Sequence, residues 1–304
     1  MKNSNFSTKK LLKGTVFSTI LLFSLSCSNE SVTGSSEEEI INPSEISDLQ
    51  SSSKTTNTTA YKVHDFDDNS LGPFTEDQGF TGSDIYNEGM SFQNDFVGGK
   101  RLKLTWKESE YDGTRRERGH EIKLGVNDNK EIYSGFYLFI PSGQSNNLLN
   151  KNTIIWQLYN WNSAGCSNWT AHLVLKNNDL YLDYRSACVA ATEVKILDNI
   201  DTDVELAFQI RCVLSGNNNG RITVLMDDTT LINETNINLG FGSFDSNDEA
   251  ETSVAGVKMG LYCYDTSNYT DNETRIIYLE NVASSLRSGS VQNSLNKVKP
   301  ANNY

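Results

Sequence analysis

Thr170-Ala-His-Leu-Val-Leu-Lys-Asn-Asn-Asp-Leu-Tyr-Leu-Asp-Tyr-Arg185 is the stretch that decides the fold. Asn177 and Asn178 form a two-residue turn of the kind that tolerates positive φ. Pairing outward from them sets Leu175 opposite Leu180, Leu173 opposite Leu182 and Ala171 opposite Tyr184, all on one apolar face. His172 then falls opposite Asp183, Val174 opposite Tyr181 and Thr170 opposite Arg185 on the other. A hairpin with one apolar and one polar face needs a second layer to cover the apolar side.

The same pattern recurs along the chain. Arg101–Trp106, Tyr133–Ile140, Thr153–Trp161, Glu205–Leu214, Arg221–Met226, Val257–Tyr264 and Arg275–Leu279 all have strand character, separated by Asn, Asp, Gly and Ser clusters. No long stretch has helical periodicity, and no motif repeats at a fixed period. The expectation is an all-β chain folded as a two-sheet β-jelly roll, a concanavalin-like sandwich.

The ends differ in composition. Lys9, Lys10 and Lys13 precede the apolar run Val16 to Phe23, and small residues lead to Cys27, so residues 1–26 read as a signal peptide too short to span a bilayer. Ser24-Leu-Ser-Cys27 resembles a bacterial lipoprotein box, which implies lipidation of Cys27; plain secretory cleavage nearby is the alternative. Residues 27–59, rich in Ser, Thr, Asn and Glu, read as a disordered tether. Residues 60–288 form the domain, and 289–304 read as a polar, frayed tail. The expected protein is exported, an outer-membrane lipoprotein at the cell surface, and a monomer. Extending the hairpin ladder brings Cys166 near Cys188, and an exported protein would join them as a disulfide. Cys212 and Cys263 fall on apolar faces, as a second pair or as buried thiols.

A formal net charge of −13 argues against nucleic acid as a partner, but a local basic groove can still take a polyanion. Three segments offer such chemistry. In Val257-Lys-Met-Gly-Leu-Tyr-Cys-Tyr264, alternation sends Met259, Leu261 and Cys263 to the core and Lys258, Gly260, Tyr262 and Tyr264 outward. In Ile154-Ile-Trp-Gln-Leu-Tyr-Asn-Trp161, it sends Ile154, Trp156 and Leu158 inward and Gln157, Tyr159 and Trp161 outward, where aromatic planes suit a sugar ring. Arg116 to Lys123 reads as a strand with Arg116, Arg118 and His120 on one side and Glu117, Glu121 and Lys123 on the other.

Arg118 to Lys123, Ile155-Trp-Gln157-Leu-Tyr159 and Lys258-Met-Gly-Leu-Tyr262 together resemble the three-strand layout of jelly-roll polysaccharide lyases. The heparin lyase I-like and glucuronan lyase families are nearest, with the ulvan lyases of marine Bacteroidetes close by. The resemblance implies an endo-acting lyase that cleaves a uronic-acid polysaccharide by β-elimination, with ulvan as first substrate and glucuronan or heparin-type chains as alternatives. It implies that His120, Gln157 and Tyr262 are catalytic and meet in one trough. Lys258 would bind a carboxylate or a sulfate. Arg118, Tyr159, Trp161, His172, Arg185 and Tyr264 complete the candidate substrate-binding set. The base is open among His120, Tyr159 and His172. Tyr159 stands where alginate lyases of this fold have histidine, and only Glu121 and Lys123 survive of their Arg-x-Glu-x-Arg strand.

No cofactor is required by this chemistry. Asp65, Asp67 and Asp68 are a candidate structural calcium loop, although only Asp65 and Asp67 would share a strand face and an acidic loop is the reading the residues favour. His64 reads as structural. A non-catalytic glycan-binding lipoprotein would use the same scaffold. A glycoside hydrolase needs two facing carboxyl groups, and no Glu-x-Asp-x-x-Glu strand is present.

Overall fold

A computed structural model describes residues 61–78, 89–95, 99–126, 130–160, 169–241, 244–248 and 255–300. Its strands form two antiparallel sheets. The front sheet runs, edge to edge, β10 (Thr192–Leu197), β9 (Asp179–Tyr184), β8 (Trp169–Lys176), β7 (Thr153–Asn160), β14 (Ala255–Tyr262), β5 (Gly119–Val126) and β2 (Thr75–Gln78). The back sheet runs β13 (Thr229–Leu239), β12 (Ser215–Met226), β11 (Glu205–Val213), β6 (Glu131–Phe139), β15 (Thr274–Leu286), β4 (Lys100–Lys107) and β3 (Met90–Asn94). In that sheet β1 (Lys62–His64) also pairs with β15. This is the expected β-sandwich.

The hairpin forms in the register read from its turn. Leu175 pairs with Leu180, Leu173 with Leu182, Ala171 with Tyr184 and His172 with Asp183. Asn177 and Asn178 have φ of 50° and 70°, the left-handed pair that matches a tight turn to the twist of its strands. The apolar faces meet between the sheets, where Trp106, Leu104, Phe136, Phe208, Trp156 and Met259 are buried. Trp156 reaches across, its Nε1 donating to Ser134 Oγ of the back sheet at 2.9 Å, so a large buried ring keeps its polar group satisfied.

Strict alternation fails at β-bulges. Along β7, Ile154 pairs with Val174 but Trp156 pairs with Leu173, so Ile155 is one residue too many for its neighbour. Ile155 therefore joins Trp156 and Leu158 in the central core, and Ile154, expected there, does not. Arg115–Glu117 is a 3-10 turn, not strand, and β5 begins only at Gly119. The tail expected to fray from 289 instead forms α1 (Val291–Val298), capped by Ser290 Oγ, which accepts from Asn293 N at 3.1 Å. Its Leu295 and Val298 cover Tyr133 and Ala283 of the back sheet, and Gln209 Nε2 donates to Leu295 O at 2.9 Å.

Cys212 and Cys263 are buried and unbridged, not a second pair; burial pushes both thiols up, Cys263 to about 12. Cys188 is disulfide-bonded. Its expected partner Cys166, the lipidation candidate Cys27 and the segments 1–26 and 27–59 lie outside the described residues.

Candidate active site

One row of outward side chains crosses six strands of the front sheet. The Cα register sets Lys123 opposite Lys258, Lys258 opposite Gln157, Gln157 opposite His172, His172 opposite Asp183 and Asp183 opposite Glu193. Residues directly paired across strands share a face, so these groups stand side by side. On an open sheet they would be wet. Here Gln157 is 3% exposed, Lys258 4% and His172 7%, so the middle of the row is shielded.

Two glycines flank Lys258 on β14, each closely approached by a neighbour. Gly260 has φ of 146°, and a Cβ there would lie 2.3 Å from His120 O. Gln157 Nε2 donates to Glu121 Oε1 at 2.6 Å, across β14. On the other side of Lys258, a Cβ on Gly256 would lie 2.3 Å from the Tyr159 hydroxyl oxygen, so the phenol rests on that backbone. The Lys258 ammonium sits 5.2 Å from the Tyr159 ring centroid, a cation–π contact, and 2.6 Å from Asp77 Oδ2. Lys123 reaches the other oxygen of Asp77 at 2.9 Å. Burial alone would raise the Asp77 pKa, but Lys258 and Lys123 outweigh it and hold the carboxyl far below the usual range.

Tyr262 ends β14, opposite Gly119 on β5, on the same face as Lys258 with Gly260 between them. The Arg115 guanidinium lies 5.8 Å from its ring centroid. Toward the other end, Trp169 stacks on His172 at 4.1 Å between centroids, and the Arg185 guanidinium lies 3.8 Å over Trp169. Trp169 and His172 share a face because Thr170 is the extra residue of a second bulge, between Leu158–Ala171 and Tyr159–Trp169. Tyr264 lies past the strand end. Burial, then the charges of Asp183, Asp265 and Glu193, push its hydroxyl pKa up, so it stays a neutral phenol.

His120 does not join this group. It pairs with Leu261, shares a face with Ile122 and is 0% exposed. Its ring packs on Gly89, whose carbonyl accepts from Thr105 N of the back sheet at 2.8 Å. The imidazole thus sits between the sheets, because β5 starts at Gly119 in the register that turns Glu121 and Lys123 outward. The expectation that His120 meets Gln157 and Tyr262 in one trough does not hold for its imidazole; Gln157 and Tyr262 do share a face. Arg118 also turns aside, its Nε donating to Tyr111 Oη at 3.4 Å. Trp161 lies outside the described residues.

Burial pushes the His120 pKa down to about 3, against about 6.5 in an unfolded chain. The unfolded state therefore takes up a proton that the folded state refuses as pH falls. The stability tied to this group is full above about pH 6.5 and declines toward pH 3, at up to about 1.4 kcal/mol per unit. His120→Gln should flatten that part of the curve when urea midpoints are compared between about pH 4 and 6.5. Parallel curves for the two proteins would contradict a neutral buried imidazole.

The candidate calcium loop is occupied with its own backbone. Asp65 Oδ1 accepts from Asp67 N at 3.1 Å, Asp68 Oδ1 from Ser70 N at 2.9 Å, and Asp67 Oδ1 from Lys100 N at 2.6 Å. Asp68 also pairs with His64 at 3.3 Å. Among the described residues no three His, Cys, Asp or Glu side chains converge as a metal cage.

The sequence matches no family model and no curated protein. Its structure is similar to that of an endo-β-1,4-glucuronan lyase from the fungus Trichoderma reesei, with 20% identity over 75% of this chain and 97% of that one and a TM-score of 0.54. The chain shares its fold with that lyase. Weaker likenesses are to a marine PL-14 alginate lyase from Aplysia kurodai (8% identity, 70% and 98% of the two chains, TM-score 0.49). A family-7 alginate lyase follows (12% identity, 65% and 84%, TM-score 0.45). At 20% identity the likeness to the glucuronan lyase shows the fold alone.

Asp77, Lys123 and Trp169 are the site residues that alternation did not single out. Trp169 is placed by a bulge, and Asp77 lies at another, on an edge strand whose partner only the fold supplies. Lys123 faces outward opposite Lys258, on the side that alternation opposes to His120.

Proposed function

We propose that this protein is an endo-acting polysaccharide lyase that cleaves a uronate-containing polysaccharide by β-elimination. The observation that carries this reading is the common face of Gln157, Lys258 and Tyr262, with side-chain-free Gly260 between the last two. A sugar ring over Gly260 would place its carboxylate at the Gln157 amide and the Lys258 ammonium. Both stabilise the enolate-like charge that develops when the C5 proton leaves. The C5–H electrons form the C4–C5 double bond, the C4–O bond breaks, and the departing oxygen takes a proton. In a glucuronate ring the C5 hydrogen and the C4 oxygen lie on one face, so a single phenol can do both jobs. Tyr262 is assigned that role, with the Arg115 guanidinium 5.8 Å from its ring centroid. Tyr159, the remaining outward phenol beside Lys258, orients the ring. The reaction as written uses no cofactor.

A β-1,4-glucuronan is the first substrate to test, in line with the shared fold; ulvan is second and heparin-type chains third. We place the enzyme at the cell surface as a monomer, exported and held to the outer membrane by lipid on Cys27, with the anionic polysaccharide as its partner. Purified protein mixed with each polymer should raise the ultraviolet absorbance of the unsaturated uronate while viscosity drops early, as internal cuts demand. Binding without any absorbance rise on the whole panel would leave a glycan-binding protein in place of the enzyme.

A further inference from the structure

The geometry points to Asp77 as the residue that sets the charge of the anion-binding row and so favours unsulfated over sulfated uronate chains. The nature of the ligand rests on the lyase reading; the charge argument does not. Asp77 lies at a bulge. Thr75 pairs with Lys123 and Glu76 with Ile122, but Gln78 then pairs with Glu121, leaving Asp77 as the extra residue on the edge strand. Its two oxygens bridge ammoniums from two different strands, at 2.9 Å to Lys123 and 2.6 Å to Lys258. Those lysines are direct cross-strand partners, an arrangement that repels without an anion between them.

The consequence is a balanced floor. Around Gly260 the row holds two ammoniums, Lys123 and Lys258, and two carboxylates, Asp77 and Glu121. Toward β10 the acids are in excess, since Lys176 lies between Asp183, at 3.5 Å, and Glu193. One uronate carboxylate can add to Lys258 and the Gln157 amide on such a floor. An added sulfate, permanently charged, finds both of these ammoniums already paired with Asp77 and loses its hydration with little return from them. A carboxamide at position 77 would leave one positive charge in surplus and remove that discrimination.

The test compares wild type, Asp77→Asn, Asp77→Glu and the double variant Asp77→Asn/Lys123→Gln. The probes are an unsulfated glucuronate polymer and the same polymer chemically sulfated. Dissociation constants and kcat/KM are measured on each, over a series of salt concentrations. Asp77→Asn should shift the sulfated-to-unsulfated affinity ratio by about tenfold toward the sulfated chain and steepen the salt dependence, the effect of one half-shielded charge. Asp77→Glu should keep the wild-type ratio, and the double variant should return to it. An unchanged ratio in Asp77→Asn would overturn the proposal. Should that variant fail to fold, Lys123→Gln decides, with an expected shift in the opposite sense. A shifted ratio without turnover of any polymer would sink the lyase reading and leave Asp77 in its role. Turnover with an unshifted ratio would do the reverse, and a wild type that binds neither polymer would overturn both.

Discussion

Tyr262→Phe should lower kcat on a glucuronate polymer by about 10²–10⁴-fold, the range lost when a positioned acid–base group is removed. The substitution deletes one oxygen from a half-buried ring at the end of β14 and leaves the ring beside Arg115. KM and the unfolding midpoint should therefore change little, which separates lost chemistry from lost structure. Tyr159→Phe is the informative companion. Its phenol rests on Gly256 beside Lys258, on the shielded face but on the far side of the lysine from Gly260. If Tyr262 both takes and returns the proton, Tyr159→Phe costs far less than Tyr262→Phe. A larger loss from Tyr159→Phe, with Tyr262→Phe near wild type, would move the base to Tyr159 and end the single-phenol mechanism.

Arg275→Met should destabilise the fold by about 3 kcal/mol, the cost of leaving Glu273 Oε1, Asn152 O and Thr153 Oγ1 without their buried donor while Lys151 still holds the other Glu273 oxygen. Arg275 is 0% exposed. Its Nε and Nη2 donate to Glu273 Oε1 at 3.0 and 2.6 Å, and its Nη1 donates to Asn152 O at 3.0 Å and Thr153 Oγ1 at 2.8 Å. Glu273 is held on its other oxygen by Lys151 at 2.5 Å. The guanidinium also lies 5.0 Å from the Trp106 ring and 5.2 Å from that of Tyr269. This network ties the start of β7, in the front sheet, to β15, in the back sheet. Methionine fills much of the volume but satisfies none of Glu273, Asn152 or Thr153. Urea unfolding monitored by tryptophan fluorescence checks it, and a change below about 1 kcal/mol would mean the network contributes little.

Neither Arg275 nor Glu273 stands out in the sequence, because an isolated charge near a strand end looks like surface until its burial is known. The opposite holds for the hairpin of β8 and β9. Its turn residues, its alternation and its register are all local properties, and the observed pairs are those read from the chain. The outward placement of Gln157, Tyr159, Lys258 and Tyr262 was legible for the same reason. The inward turn of His120 follows likewise from the register that groups Glu121 with Lys123, since alternate residues of a strand face opposite sides. Ile154 and Trp169 were beyond reach because each owes its face to a bulge, and Asp77 because the partner of its short edge strand is set only in three dimensions. A bulge is a mismatch in count between two strands, so no single strand's pattern contains it.

By itself, then, the chain determined that it would build a β-sandwich and which side of most strands would be polar, since side-chain direction reverses at every residue wherever a strand is regular. Only the tertiary structure decided that β14 would lie between β5 and β7. That neighbourhood, formed by segments far apart in the chain, sets Lys258 beside Gln157 and Lys123 and puts Asp77 over both lysines. Contacts of that kind depend on which strands meet and on where the extra residues fall, and these are settled by the packing of the whole sheet.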